Sequence, residues 1–412
     1  MEPMASRLED AEYQRIQQFI TDSPWDSEKT LNGLIEVMSQ EVSRPEGIIA
    51  IDDTSFPKQG THSVGVARQY CGALGQVANC QVSTSGLYIL RSPVRNRDTI
   101  AWPLGMKLYL PKEWIKDRKR RKSTGIPKTV KFREKWRLAL DIIDNANGFN
   151  VQHSAIAADA GYGSTKEFRS ELRVREEPYV LGVGPENITM VPIETKFLKP
   201  EEFPRSDNRG RPRTRCLLPP GISGKNAIEM AKDIPDEEWT NICWSEGTKG
   251  DLHGKFFMQE VRIVEQNNAW TDETGWILLE QHEGKLRAYL CWGFEKTTLD
   301  LLVRIAKTRY FIELFYREMK DELGLDHFEG RSWNGWHHHT VLTQIAYAYL
   351  AYCRYKDQKE GTDEPLFSLP EVRRQVIKII ADELALKYLG ADPGPKRDKT
   401  VKQFSDLIVK MA

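Results

Sequence analysis

The chain has 412 residues, enough for a full hydrophobic core and for two or three structural units without staples. Its 59 basic and 59 acidic residues cancel, so no global field advertises a nucleic-acid partner, and any such partner must be read from local clustering. Six scattered cysteines with no Cys-x-x-Cys pair suit a reducing compartment, and with no signal-type leader and no run of about 18 apolar residues the expectation is a cytoplasmic protein with no membrane contact.

Residues 1–46 read as helical. Tyr13, Ile16, Phe19 and Ile20 recur at helical spacing, Ser23-Pro24 breaks the run, and Leu31, Leu34 and Val37 resume it. The pattern then turns to strands. Gly47-Ile48-Ile49-Ala50-Ile51-Asp52 reads as a short apolar strand ending at a pair of aspartates, Asp52 and Asp53. Val77 to Leu90 and Leu104 to Leu110 follow, and the three fit an antiparallel meander. Two carboxylates side by side at the end of a buried strand repel each other and resist desolvation unless a cation compensates them, and a divalent metal is the obvious candidate.

Lys112 to Arg137 holds twelve Lys or Arg, among them Arg118, Lys119, Arg120, Arg121 and Lys122, with Trp114, Phe132 and Trp136 interleaved. A charge run is commonly just a solvated loop, but aromatics between the charges favour a nucleic-acid surface, where phosphates meet cations and unpaired bases stack. A helix carrying Trp136, Leu138, Ile142 and Ile143 comes next. Ser154 to Asp159 is apolar without alternation, as in a strand buried on both faces, and it too ends in an aspartate. A helix from Ser164 to Arg175 and a strand from Tyr179 to Val183 complete a βαβ-like unit.

Residues 185–300 break this rhythm as a β-rich insertion with two hairpins. One runs from Trp239 to Val264 through Gly247-Thr248-Lys249-Gly250; the other pairs Trp276 to Leu279 with Leu286 to Trp292 across Glu283-Gly284. One helix from Leu301 to Leu323, another from Trp336 to Tyr355, and tail helices at Leu369 to Leu389 and Val401 to Met411 close the chain. The expected segments are therefore 1–46, helical; 47–184, the first part of the core; 185–300, the insertion; 301–355, the second part of the core; and 356–412, a helical tail.

Three strands, helix, strand, helix, strand, then an insertion and a returning helix is the ribonuclease H order. The fold expected is thus α/β, a mixed five-stranded sheet with helices, interrupted by the insertion and flanked by helical extensions. In that order the ends of the first and fourth strands are neighbours, which would bring Asp52 to Asp159, and the returning helix is the place for a third carboxylate. At roughly 100° per residue Arg309, Glu313, Tyr316 and Lys320 share an arc of roughly 60°, beside an apolar stripe of Ile312, Phe315, Met319 and Leu323. Three carboxylates can hold two Mg²⁺ ions, with Mn²⁺ a substitute, for in-line phosphoryl displacement, while Arg309 and Lys320 supply cations to phosphate oxygens.

These residues resemble the DDE superfamily of transposases, and specifically insertion-sequence family 701. The resemblance rests on Ser23-Pro24-Trp25-Asp26, Asp52 to Gly60, Asp159-Ala160-Gly161-Tyr162-Gly163, Gly247 to Gly250, Ile312-Glu313, Lys320, Glu322 to Asp326 and Arg331-Ser332-Trp333. It implies Asp52, Asp159 and Glu313 as the metal-binding catalytic triad, with Arg309 and Lys320 as members of the Y-R-E-K signature. Ala306 stands where that signature has its tyrosine. The superfamily's Asp-x-Thr pattern selects Asp52, with Thr54 third, over Asp53. Double-stranded DNA, as transposon terminal inverted repeats and target, is the implied partner, a homodimer in a synaptic complex the implied assembly, and the nucleoid the implied location.

Blander readings exist for each residue. Asp52, Asp53 and Asp159 could merely form turns, and Glu313 could be a solvated partner of Arg309. His337-His338-His339 on a helix point about 100° apart and cannot all ligate one ion. Gly221 to Lys225 lacks the spacing of a phosphate loop. A regulatory DNA-binding protein that keeps the fold without cutting is the alternative function, and a carboxylate-pair glycosidase a third.

Overall fold

The computed structural model describes residues 13–91, 99–203, 214–245, 252–265, 267–359 and 368–378. The Gly247 to Gly250 motif and the tail beyond residue 378 lie outside them. The contacts divide the chain into two units, one made of Met1–His153 and Tyr310–Ala412 and the other of Ser154–Arg309.

The first unit begins with α1 (Tyr13–Thr21) and α2 (Ser27–Glu41). Asp26 starts α2 by accepting the backbone N–H groups of Glu28 and Lys29 at 2.9 and 3.1 Å, which satisfies two of the donors a helix leaves open. Four strands follow: β1 (Ile48–Pro57), β2 (Ala67–Cys71), β3 (Gln76–Leu90) and β4 (Ile100–Leu108). β1 and β4 both pair antiparallel with β3, as the meander requires. β2, which the sequence reading did not foresee, shares one edge of β3 with β4, against residues 76–80, and β4 covers residues 83–90.

β1 does not end at the aspartates. It continues to Pro57, with Asp52 opposite Ser85 and Asp53 opposite Thr84, so the pair sits in mid-strand and the turn reading of these two residues fails. A polar strand segment is tolerated there because β3 answers it with Ser83, Thr84 and Ser85, all fully buried.

The basic segment folds into α3 (Lys112–Lys116) and α4 (Arg118–Thr124), after which α5 (Lys135–Gly148) lies along β3 and β4. At the other end of this unit's sequence are α10 (Tyr310–Asp321) and α11 (Trp333–Lys359), with residues 369–378 forming a further helix; labels α6 to α9 belong to the second unit. α10 packs on β1, and α11 packs on β4, α1 and α2. Ala50, Phe56, Trp114, Phe315, Trp336 and Tyr347 belong to the core that joins them.

The three histidines of α11 each meet backbone carbonyls. The ring nitrogens of His338 lie 2.9 and 3.0 Å from the carbonyl oxygens of Ile20 and Trp25, and the ring stacks on Trp25 at 3.9 Å. Nε2 of His339 lies 3.1 Å from Gly324 O, and Nδ1 of His337 lies 2.9 Å from Trp333 O.

The second unit holds β5 (Ala155–Ala158), α6 (Ala160–Gly163), α7 (Lys166–Val174), β6 (Tyr179–Val183), β7 (Met190–Pro192), α8 (Ala227–Asp233), β8 (Thr240–Ser245), β9 (Leu252–Val264), β10 (Trp270–His282), β11 (Lys285–Trp292) and α9 (Leu299–Thr308). β5 and β6 are parallel, as a βαβ unit demands, and all four residues of β5 are buried. Both hairpins of the insertion form, β8 with β9 and β10 with β11. The insertion is no separate sheet: β11 pairs with β6, and β10, β9 and β7 continue the order outward. All five strands expected of the ribonuclease H-like core are present, as β1, β3, β4, β5 and β6.

One expected element is divided. Periodicity from Leu301 to Leu323 predicts a single helix, but α9 stops at Thr308 and α10 starts at Tyr310, with Arg309 at the joint. Arg309 therefore belongs to the second unit, while Glu313, Tyr316 and Lys320 keep one helix in the first.

Candidate active site

Neighbouring strand residues point to opposite faces, so Asp52 and Asp53 have different surroundings. Asp53 is on the α5 side. Its Oδ1 accepts the Thr84 hydroxyl at 2.9 Å and its Oδ2 pairs with Nζ of Lys135, in the first turn of α5, at 2.8 Å. On the same side Ile142 of α5 sits so close over Gly86 that a Cβ there would come within 2.5 Å of its methyl group. Asp52 is on the other side, shared with Ala50 and Phe56, where Ile312, Phe315, Tyr316 and Met319 of α10 close the core. Its Oδ1 accepts the N–H of Asp53 at 2.7 Å, and its backbone carbonyl accepts the Tyr316 hydroxyl at 2.9 Å.

On α10, Glu313 is exposed and stands one turn before Tyr316. Lys320 is half-buried; its ammonium donates to Ser55 O at 3.2 Å and lies 5.5 Å from the Phe56 ring. Burial pulls its pKa down, against the opposing pull of Asp326. Arg309, in the second unit, makes its charge felt at Tyr289 and Lys307, where it favours the phenolate and the neutral amine against burial and the Glu280 carboxylate respectively.

Asp159 follows the last residue of β5 and caps α6. Its Oδ1 accepts the N–H groups of Gly161 at 3.0 Å and Tyr162 at 3.3 Å. The short helix lies close against β6, an approach only glycine permits, because a Cβ at Gly163 would lie 2.0 Å from Gly182 O. The sequence reading missed its anchor: the buried Arg169 of α7 donates to Gly163 O at 2.8 Å while its guanidinium grips both oxygens of Glu273, at 2.5 and 3.1 Å. An arginine on an otherwise amphipathic helix gives no hint of a carboxylate so far along the chain.

The basic segment divides by residue. Arg118, Lys119 and Lys122 are exposed on α4. Arg120 instead covers the Trp114 ring at 3.9 Å and donates to Thr61 O, and Arg121 donates to Pro127 O and Val130 O. Trp114 is fully buried, its indole N–H donating to Val66 O at 2.7 Å, so it offers no face to a base.

Among the described residues no three His, Cys, Asp or Glu side chains form a group ready to hold a metal ion. Asp52 and Glu313 belong to the first unit and Asp159 to the second. Among the same residues no helix is long and apolar enough to cross a membrane.

Residues 1–251 match the family model described as DDE superfamily endonuclease, a span that includes Asp52 and Asp159 and stops short of Glu313. This chain belongs to that family. Its ribonuclease H-like fold follows. A curated relative, the "Probable transposase for insertion sequence element IS701" of Microchaete diplosiphon, is 27% identical over 236 residues, 56% of this chain and 57% of its own. The chain thus aligns with a little over half the length of that relative.

Proposed function

We propose that this DDE-family chain is a DNA transposase that cuts and rejoins DNA at transposon ends, with Asp52, Asp159 and Glu313 as its acidic triad. The observation that carries the reading is the division of labour in the aspartate pair. Both oxygens of Asp53 are engaged by Thr84 and Lys135, whereas Asp52 lies on the strand face covered by the helix that bears Glu313. Asp53 is then a neighbour that fixes the strand to α5, and Asp52 the working carboxylate.

The donor set fits two Mg²⁺ or Mn²⁺ ions in kind, since carboxylate oxygens are the hard ligands these cations prefer. When bound, such ions polarise the scissile phosphate and lower the pKa of the attacking hydroxyl. The chain's own part is orientation. The cap on α6 holds Asp159 through one oxygen, and α10 presents Glu313. Arg118, Lys119 and Lys122 meet phosphates and set register without reading sequence, while Arg120 and Arg121 hold their platform together. In the first reaction water attacks phosphorus and the 3′-oxygen leaves as a hydroxyl; in the second that 3′-hydroxyl attacks a target phosphate, breaking its bond to the target strand's 3′-oxygen, which leaves as a hydroxyl in turn. Terminal inverted repeats are read by residues 1–46 and the β-rich insertion, and a cytoplasmic homodimer pairs two ends.

The test is Mg²⁺-dependent cleavage and strand transfer by the full chain on the inverted repeats flanking its own gene. Wild-type protein is expected to perform both and Asp159→Ala neither, with end binding retained. Binding by the wild type with no metal-dependent cleavage would overturn the proposal in favour of a regulatory DNA-binding protein.

A further inference from the structure

The Tyr316 side chain is buried in the α10 face, where Ile312, Phe315 and Met319 are purely apolar and a phenylalanine would fill the same space. Its hydroxyl is spent on one point of the sheet. It donates to the carbonyl oxygen of Asp52 at 2.9 Å and is in hydrogen-bond contact with Oγ of Ser85, the residue directly opposite Asp52 in the ladder. Ser85 Oγ also lies 3.4 Å from the Asp52 carbonyl, so the three groups close a triangle at a single rung. Burying a phenol among apolar side chains is costly unless its hydroxyl is satisfied, and this rung bonds it with the helix in its present rotation and height.

We propose that Tyr316 is a positioning residue that latches the α10 helix to the backbone of Asp52 and thereby fixes Glu313 relative to the Asp52 carboxylate. Glu313 is one turn from Tyr316, about 5 Å along the helix axis, so a hydroxyl tied to the Asp52 peptide sets where the glutamate stands. The inference rests on the proposed function, because it gives Tyr316 a purpose only where Asp52 and Glu313 act together. None of these groups was connected by the spacing of the sequence beyond Tyr316 sharing an arc with Glu313.

Tyr316→Phe removes the hydroxyl and keeps the ring; Ser85→Ala removes the other side of the latch without touching α10. Mn²⁺ binding to the full chain, followed by electron paramagnetic resonance of the free ion, and the Mg²⁺ concentration that half-saturates cleavage of end DNA are the two readouts. Loss of an outer partner of a ligand typically weakens metal binding about 10- to 100-fold, so Tyr316→Phe is expected to weaken Mn²⁺ by at least about tenfold. The Mg²⁺ midpoint should rise by a similar factor, cleavage should recover at high Mg²⁺, and metal-free DNA affinity should stay unchanged. Ser85→Ala should move both readouts in the same direction by less. Unchanged Mn²⁺ affinity and Mg²⁺ midpoint in a folded Tyr316→Phe chain would refute the latch whatever happens to its melting temperature, and if that variant fails to fold, unchanged values in Ser85→Ala do the same. A wild-type chain that neither binds Mn²⁺ nor cleaves would instead overturn the proposed function and the latch with it.

Discussion

Two adjacent aspartates with the same chemistry have separate fates because strand geometry gives them separate neighbours. Residue type alone offers Asp52 and Asp53 as equals and the resembled Asp-x-Thr pattern favours Asp52; what distinguishes their surroundings is Thr84, opposite on β3, and Lys135 on α5. Those surroundings depend on the register of β1 against β3, which the sequence does not display. Asp53→Asn is expected to cost about 1 kcal/mol through its hydrogen bond and its half-exposed ion pair, visible as a melting temperature a few degrees lower. Cleavage should survive, whereas Asp52→Asn should abolish cleavage with little change in melting; parallel thermal and nuclease assays on the two variants check this. Glu313 and Asp159 were nominated by spacing and resemblance, and their local settings, an exposed helix face and a capping position, are also what those residue types adopt for purely structural ends.

Elements were legible where their physics is local. β5 and β6 announce themselves as unbroken apolar runs, and the β10–β11 hairpin by its Glu283-Gly284 turn, where both residues take positive φ. β1 was read too short because Asp52 to Ser55 looks like a turn until Ser83, Thr84 and Ser85 supply polar partners from another strand. The joint at Arg309 was invisible because apolar spacing continues through it from Leu302 to Met319. In the basic segment, charge and aromatic content were plain but their disposition was not. Exposed Lys119 and Lys122 are expected, when changed to Ala together, to make the dependence of log affinity on log salt shallower by about two, one per lost phosphate contact. Trp114→Ala should instead destabilise the fold by about 3–5 kcal/mol, a cavity effect that a urea melt separates from the salt titration.

At the scale of the whole molecule, the buried histidines of α11 make stability depend on pH. Burial between Trp333 and Trp336 pushes the His337 pKa down to about 4, and burial also lowers His339 against the pull of its two carbonyl partners. In the unfolded chain both titrate near 6.5. Between these values the unfolded chain takes up protons that the folded chain refuses, so stability is complete above about pH 6.5 and is lost as pH falls toward 4. Melting temperatures measured from pH 7.5 down to 4.5 should show this decline, and His337→Gln, although less stable at neutral pH, should show a flatter one.

The first unit is assembled from two stretches of chain with the entire second unit between them. Ribosomes add roughly 5–20 residues per second, so after α5 has emerged the strands β1 and β4 wait on the order of ten seconds or more for α10 and α11. During that interval Ala50, Phe56, Leu87 and Ile89 have no helix to cover them, while the second unit, encoded without interruption, already has every strand it needs. The order of synthesis thus leaves the strand face that carries Asp52 open until the second unit has been made, and its closure begins with the long-range pairing of α10 with β1.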